Sequence, residues 1–426
     1  MSIKMIELFS GIGSQAKALK KTGVSFKIKY TCEWNIHSIV AYDLIHNNNK
    51  LHKSTQELNK EKLLEKLLKY NLSNDGKTKL SEKTLKNMHE DELRLIYSSI
   101  LKTNNFVDVT TIKGIQMPKD LDILTYSFPC QDLSNVGAFH GYTNGIDRNA
   151  NTRSGLLWEV ERILKEMTEN NINLPKFLLL ENVPALLAEK HRKNFNEWQH
   201  FLKNIGYYNH IYKLDALNFG LPQHRERLLM ISVFIGNNIN LETKLDNYFK
   251  TNNLQTEEYL NKRLKRLKKF KKYSLKDILK TDYSNETYKQ EALQCQPNDT
   301  KSRRNIWKDN PQLITEDGTI AEFTATLTTK QDRHPNSGNI ALPKEYECFN
   351  NKKSKYRYLT PRECFLLMGF DEEDFQNIID NNYKVNNKYN FFTRDNLIKM
   401  AGNSIPVNVL ELVFRQILDI KKKFFL

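Results

Sequence analysis

Met5-Ile6-Glu7-Leu8-Phe9-Ser10-Gly11-Ile12-Gly13-Ser14 decides the fold. The first five residues read as a strand, the glycines turn the chain, and Gln15 to Lys21 has helical composition. Strand, glycine turn and helix open a nucleotide-binding βαβ unit. Glycines let the backbone approach a ligand, and a helix N-terminus offers N–H groups. The spacing F-S-G-I-G is not G-x-G-x-x-G, so a dinucleotide pyrophosphate is not the expected ligand. A tight turn without a ligand is the plainer reading of the same glycines.

Ile28 to Cys32 is a second strand, ending on Glu33-Trp34. An acid about twenty residues past the glycines is placed for ribose hydroxyls, and Trp34 for stacking on a purine. An exposed Glu and a core Trp are the alternative. Phe106 to Thr110 reads as a short strand or strand end, with Asp108 as a further cofactor contact. Leu121-Asp122-Ile123-Leu124 is a buried strand, and Thr125-Tyr126-Ser127-Phe128-Pro129-Cys130-Gln131 leaves it through a proline turn. Pro129 fixes its own φ and drives Phe128 toward extended geometry, so Cys130 stands on a stiff turn. That is how a nucleophile is presented. A buried structural thiol is the competing reading.

Lys176 to Leu180 is a further buried strand followed by Glu181-Asn182-Val183-Pro184, which brings a carboxylate to the same end of the sheet. Burial would raise its pKa and suit it to proton donation. Tyr207 to Leu214 and Leu228 to Phe234 are strands around Gln223-His224-Arg225-Glu226-Arg227. Arg225 and Arg227, two apart on an extended segment, point the same way and suit a phosphate or a base edge.

The whole chain has 426 residues and a formal charge of +15, which suits a polyanionic partner. Its five cysteines are scattered without CxxC spacing, as in a reduced cytoplasmic protein with no disulfide framework and no metal site. No apolar run is expected to span a membrane. The α/β pattern is interrupted twice. Leu51 to Asn105 reads as a solvated helical insertion without chemistry, and strand–helix alternation stops from Ile235 to about Lys355. In that second region Leu260 to Lys276 is a basic amphipathic helix, and Phe323 to Thr329 alternates like a strand. The polar loop Lys330 to Asn336 offers side chains that read base edges. Thr360-Pro361-Arg362-Glu363 is a capping box, and Val407 to Ile420 is an apolar helix returning to the first domain.

In this order the blocks resemble those of the bacterial DNA (cytosine-5) methyltransferases. Phe9 to Gly13 looks like the family's cofactor loop, Glu33-Trp34 its ribose and adenine contacts, and Asp108 its third contact. Phe128-Pro129-Cys130-Gln131 resembles its nucleophile turn, Glu181-Asn182-Val183 its catalytic acid, and Gln223 to Arg227 its Q-x-R-x-R block. Tyr358 to Gly369 and Gly402-Asn403-Ser404 resemble its last two motifs. The blocks are also similar to those of mollicute CpG methyltransferases, but the recognition region differs, so CpG is not carried over.

The resemblance implies a Rossmann-like catalytic domain over 1–234, a smaller, irregular target-recognition domain over 235–355, and a return to the catalytic domain over 356–426. It implies S-adenosylmethionine as cofactor, held by Phe9, Gly11, Ile12, Gly13, Glu33, Trp34, Asp108, Val109, Pro129, Leu156, Asn403, Ser404 and Ile405. The catalytic residues it implies are Cys130, Glu181, Arg225 and Arg227. Gln131, Ser134, Gln223, Thr326, Lys330 and Arg333 are the implied DNA contacts, and the Gly/Asn-rich loop Asn135 to Asn151 a lid. The expected partner is double-stranded DNA with a flipped-out cytosine. The protein is expected to be a cytoplasmic, nucleoid-associated monomer, away from membranes, and either the modification enzyme of a restriction-modification system, whose endonuclease acts on the same site without binding it, or an orphan. A tRNA cytosine-5 methyltransferase, a non-catalytic DNA-binding relative and an NAD-dependent dehydrogenase are the competing readings.

Overall fold

The computed structural model describes residues 2–47, 49–130, 133, 145–148, 153–343, 352–385 and 389–425. Two compact units emerge: 1–214 with 226–269 and 410–426, and 215–225 with 270–409. These bounds differ from those read off the sequence. Residues 235–269 belong with the first unit, and of the C-terminal return only 410–426 does.

The first unit is built on a six-stranded sheet. Its strands are Ile3–Leu8 (β1), Phe26–Cys32 (β2), Ile123–Tyr126 (β3), Phe177–Asn182 (β4), Tyr207–Asp215 (β5) and Glu226–Phe234 (β6), in the order β2-β1-β3-β4-β6-β5. β1, β3 and β4 are buried on nearly every residue, the pattern of strands covered on both faces. They run parallel, as do β1 and β2, whereas β6 is antiparallel to β4. The fold class is therefore α/β, as expected. Leu8 lies opposite both Cys32 and Tyr126, and Tyr126 opposite Leu180. The carboxyl ends of β1, β2 and β3 thus finish level, β4 runs two residues further to Asn182, and β6 begins at the same edge.

The helices Leu157–Glu169 and Glu189–Asn204 cover the sheet. Val160, Ile163, Phe195 and Trp198 bury against Leu124, Tyr126, Leu178 and Leu180 in one apolar cluster. The last helix, Val407–Phe424, joins this unit from Leu410 onward. Arg415 donates to the carbonyls of Lys21 (2.9 Å) and Thr22 (3.4 Å) at the end of helix Ser14–Lys21 (α1). Tyr212 donates to Gln416 (3.0 Å), Tyr248 to Asp419 (2.6 Å), and the Lys421 ammonium to the buried carboxylate of Asp122 (2.6 Å). Contrary to expectation, Arg394–Phe424 contains a window apolar enough for a membrane span, but 83% of it is buried inside the protein, as in a core helix.

Two expected strands do not form. Phe106 to Thr110 has only an adjacent bridge, Thr31 to Asn105. Val107 then takes a left-handed φ of 68°, and Asp108 caps a 3₁₀ turn over Val109–Thr111. Phe323 to Thr329 makes one bridge, Gln223 to Thr324, because its polar groups bond to loops. The basic helix is also shorter than expected, Glu257–Arg266.

The second unit has a small sheet of Gln312–Ile314, Asn339–Ala341 and Tyr356–Tyr358, flanked by short helices. Its centre is polar. Arg357 and Glu363, both fully buried, form a two-pronged ion pair at 2.8 Å for each prong. The Glu363 carboxylate also accepts the backbone N–H groups of Lys280 and Thr360, each at 2.8 Å. The second of these bonds closes the expected capping box.

Burial alone would raise the pKa of Asp122, but the Lys421 hydrogen bond, the Lys4 backbone N–H and the charges of Lys421 and Lys176 outweigh it and hold it below its ordinary value. Lys421→Ala is expected to cost about 3 kcal/mol, read as a lower urea midpoint. A carboxyl depressed in the fold stabilises above its unfolded pKa, so the wild-type advantage should close as the pH falls below about 4.

Candidate active site

The loop after β1 is a run of left-handed turns: φ is 57° at Phe9, 53° at Gly11 and 81° at Gly13. Glycine is needed at Gly13, where a Cβ would come within 2.2 Å of the His46 ring. At Gly11 a Cβ would point into open space. His46 closes helix Ile36–His46 (α2), and its Nε2 lies 3.1 Å from the Ile12 carbonyl. Burial lowers its pKa to about 3, aided by the charges of Lys17 and Lys20 and opposed by the bond to Ile12. A neutral ring facing a carbonyl must place its proton on Nε2 and donate. Below the loop, Glu7 is fully buried and accepts from the Ala16 backbone N–H (3.0 Å) and the Tyr42 hydroxyl. Burial raises the Glu7 carboxyl to about 7, against the pull of those two bonds. The sequence offered a signal here, an acid inside an apolar strand.

At the end of β2 the Glu33 carboxylate accepts N–H groups from Gly11 (3.0 Å) and Asn35 (2.8 Å), which fixes it to the glycine loop. Asn105 clamps the Glu33 backbone, accepting from its N–H (3.0 Å) and donating to its carbonyl (2.9 Å). Asp108 accepts from Thr110 N–H (2.9 Å) and from Asn71 Nδ2 (2.6 Å). Trp34, half-buried, accepts the Ser73 N–H on its carbonyl (2.8 Å). The insertion Leu51 to Asn105 is therefore more than solvated decoration: Asn71, Ser73 and Asn105 hold the expected cofactor residues. Nothing in the sequence singled those three out. Ile12 and Val109 are buried, and Leu156 is half-buried.

Beyond β3 the turn carrying Cys130 is tied down on both sides. Asn182 Nδ2 donates to the Phe128 carbonyl (3.1 Å) and Ser154 Oγ to the Pro129 carbonyl (2.7 Å). Cys130 is partly exposed, whereas Cys32, Cys295 and Cys364 are buried. Burial pushes those three thiols up, Cys295 to about 12. Among the described residues Cys130 is thus the cysteine with solvent access.

On β4, Glu181 lies opposite Leu229 of β6, so Arg227 is its diagonal neighbour on the same face. Arg227 Nε stands 3.2 Å from Glu181 Oε1, both side chains being largely buried. The carboxyl edge of the parallel strands therefore gathers Phe9 to Gly13, Glu33, Cys130, Glu181 and Arg227 within one unit.

Arg225 and Gln223 behave differently from the sequence reading. Arg225 is buried, and its guanidinium donates to the carbonyls of Leu327 (2.8 Å), Gly402 (2.9 Å) and Ser404 (2.8 Å). Gln223, also buried, accepts from Leu327 N–H (2.8 Å) and donates to the Leu367 carbonyl (3.1 Å). Arg225 therefore does not point with Arg227, because it precedes β6 and the ladder imposes no common direction on the two, and both Arg225 and Gln223 hold backbone of the second unit. In that unit Thr326 donates to the His224 carbonyl, Lys330 is exposed, and Arg333 is half-buried with burial lowering its pKa. Asn403 is exposed, Ser404 donates to the Met400 carbonyl, and Ile405 is buried. Gln131 and Ser134 lie outside the described residues, as does the expected lid apart from 145–148.

Residues 68–419 match the family model of the C-5 cytosine-specific DNA methylases. The chain belongs to that family. It is a DNA (cytosine-5) methyltransferase. It is 33% identical over 424 residues to the orphan methyltransferase M.SssI of Spiroplasma monobiae, covering 97% of each chain. It is 30% identical over 416 residues to the type II methyltransferase M2.ScrFI of Lactococcus lactis subsp. cremoris, covering 97% of this chain and 99% of that one. In fold this methylase is similar to the S. pombe Dnmt2 methyltransferase, with a TM-score of 0.56, 18% identity and 98% of each chain covered.

A carboxyl raised in the fold stabilises below its unfolded pKa and loses that contribution as the pH rises through its native value, here about 7. Glu7→Gln should remove this dependence. The wild type is expected to lose roughly 3 kcal/mol relative to the variant between about pH 4.5 and pH 7. Urea denaturation of both at several pH values checks it.

Proposed function

We propose that Cys130 is the nucleophile, Glu181 the proton donor and Arg227 the group that orients Glu181 beside the pyrimidine. The observation that carries the assignment is the meeting of these groups at one sheet edge, with Arg227 Nε 3.2 Å from Glu181 Oε1. Cytosine C5 is a poor nucleophile until the ring aromaticity is broken. Cys130 Sγ forms a bond to C6 while Glu181 delivers a proton to N3, which relieves the charge that sulfur addition creates. C5 then carries nucleophilic electron density toward the methyl donor. A base from solvent takes the C5 proton, the Cys130–C6 bond breaks to release the thiolate, and N3 returns its proton to the Glu181 carboxylate, giving 5-methylcytosine. The target must leave the stack to reach Cys130, which costs a few kcal/mol.

S-adenosylmethionine, when bound, supplies the methyl group on a sulfonium. The residues fit it: the open space over Gly11 admits a ligand to the backbone, and Glu33 and Asp108 bring carboxylates for a ribose and an adenine. Phe9, Ile12, Gly13, Trp34, Val109, Pro129 and Leu156 of the same unit would complete the lining. Thr326, Lys330 and Arg333 of the second unit are the proposed base readers. Duplex DNA is the proposed substrate, supported by relatives named as an orphan and a type II methyltransferase. We place its work in the cytoplasm on chromosomal DNA, as a monomer whose methylation blocks a restriction endonuclease at the same site.

Tritiated methyl transfer to duplex DNA and to total tRNA tests the assignment. Transfer to DNA and not to tRNA is expected. Cys130→Ala should reduce it to background, and Glu181→Gln should lower kcat by about 10²–10⁴-fold. Turnover in Cys130→Ala, or a preference for tRNA, would refute it.

A further inference from the structure

The first unit carries a second feature that methyl transfer does not use. Helix Glu257–Arg266 buries Leu260 and Leu264 on one side. Lys265 and Arg266 are exposed away from that side, and Lys268 and Lys269 follow, also exposed. Not one acidic residue occurs from Tyr259 to Lys276. Some exposed cations elsewhere in this unit are matched by acids four residues away, Lys69 by Glu65, Lys86 by Glu82 and Lys165 by Glu161, and the unmatched ones are not packed four to a five-residue stretch as here. Lys265, Arg266, Lys268 and Lys269 have no carboxylate within ion-pair distance among the described residues. Complementing the helix dipole accounts for cations in the last turn, but Lys268 and Lys269 lie past it.

Uncompensated like charges repel one another and are retained at a cost unless an anion lies over them. We infer that Lys265, Arg266, Lys268 and Lys269 form a phosphate-binding strip that grips the backbone of duplex DNA without reading its sequence. The inference rests on DNA being the substrate. Ammonium groups on flexible stems suit phosphate oxygens as point charges and carry no base information. Each phosphate neutralised releases counterions, so the strip would make affinity steeply salt-dependent.

The test uses the full chain with all four residues changed to Gln, and a control with the exposed Lys62, Lys77, Lys79 and Lys83 changed to Gln. Affinity for a duplex carrying the methylated site, and for one lacking cytosine, is measured against salt. Each contact contributes about 0.9 to the slope of log affinity against log salt, so the strip variant should lose roughly 2–4 from the slope, equally on both duplexes. The control should lose less than one contact's worth, and Arg at the four positions should restore the wild-type slope. An unchanged slope in the strip variant, an equal loss in the control, or a loss confined to the target duplex would overturn the inference. So would loss of binding to phosphatidylserine vesicles with the DNA slope intact. Methyl transfer to a saturating duplex at low salt keeps the two proposals apart. It should stay within about twofold of wild type in the strip variant, whereas its absence in the wild type would sink the substrate assignment.

Discussion

Everything at the reactive end of this protein depends on the level finish of parallel strands. β1, β2 and β3 end in register and β4 runs two residues further, and each releases its chain at the same edge. The glycine loop, Glu33, the Cys130 turn and Glu181 are delivered there by backbone pairing alone. The antiparallel β6 begins at that edge and adds Arg227. Because side chains alternate along a strand, a slip of one residue in the β4–β6 pairing would turn Arg227 away from Glu181.

Strand ends alone would leave loops free to wander, and hydrogen bonds to backbone groups prevent it. Asn182 follows Glu181 and holds the Phe128 carbonyl, so the acid and the nucleophile turn are fastened by neighbouring residues. The glycine loop stands on a buried layer of Glu7, Tyr42 and His46, three titratable groups moved far from their ordinary pKa by burial. Below the Glu7 value of about 7 these groups are neutral and hold the loop through hydrogen bonds without placing a net charge beneath the ligand. The second unit follows the same logic with a buried Arg357–Glu363 pair, and Arg225 and Gln223 fix the backbone around Leu327.

Much of this was legible in the sequence because strand exits carry distinctive residues. The glycines after Phe9, the proline before Cys130 and the acid closing an apolar strand at Glu181 each have a local physical signature. The inner strands β3, β4 and β6 were legible from their apolar runs. What was not legible depends on distant contacts. Asn71 and Asn105 are ordinary polar residues until the fold brings them to Asp108 and Glu33. Arg225 and Arg227 look alike two residues apart, yet one spends its guanidinium on three carbonyls and the other meets a carboxylate. The alternation in Phe323 to Thr329 suggested a strand, but no neighbouring chain supplies a ladder beyond Thr324.

The central claim is a transient covalent bond between one sulfur and carbon 6 of a cytosine. A duplex in which the target cytosine bears fluorine at C5 tests it most directly, since fluorine cannot leave as the proton does. Incubated with S-adenosylmethionine, the protein should become covalently joined to the strand, and mass spectrometry should locate the bond on Cys130. Absence of an adduct with an active preparation, or attachment at another residue, would contradict the account.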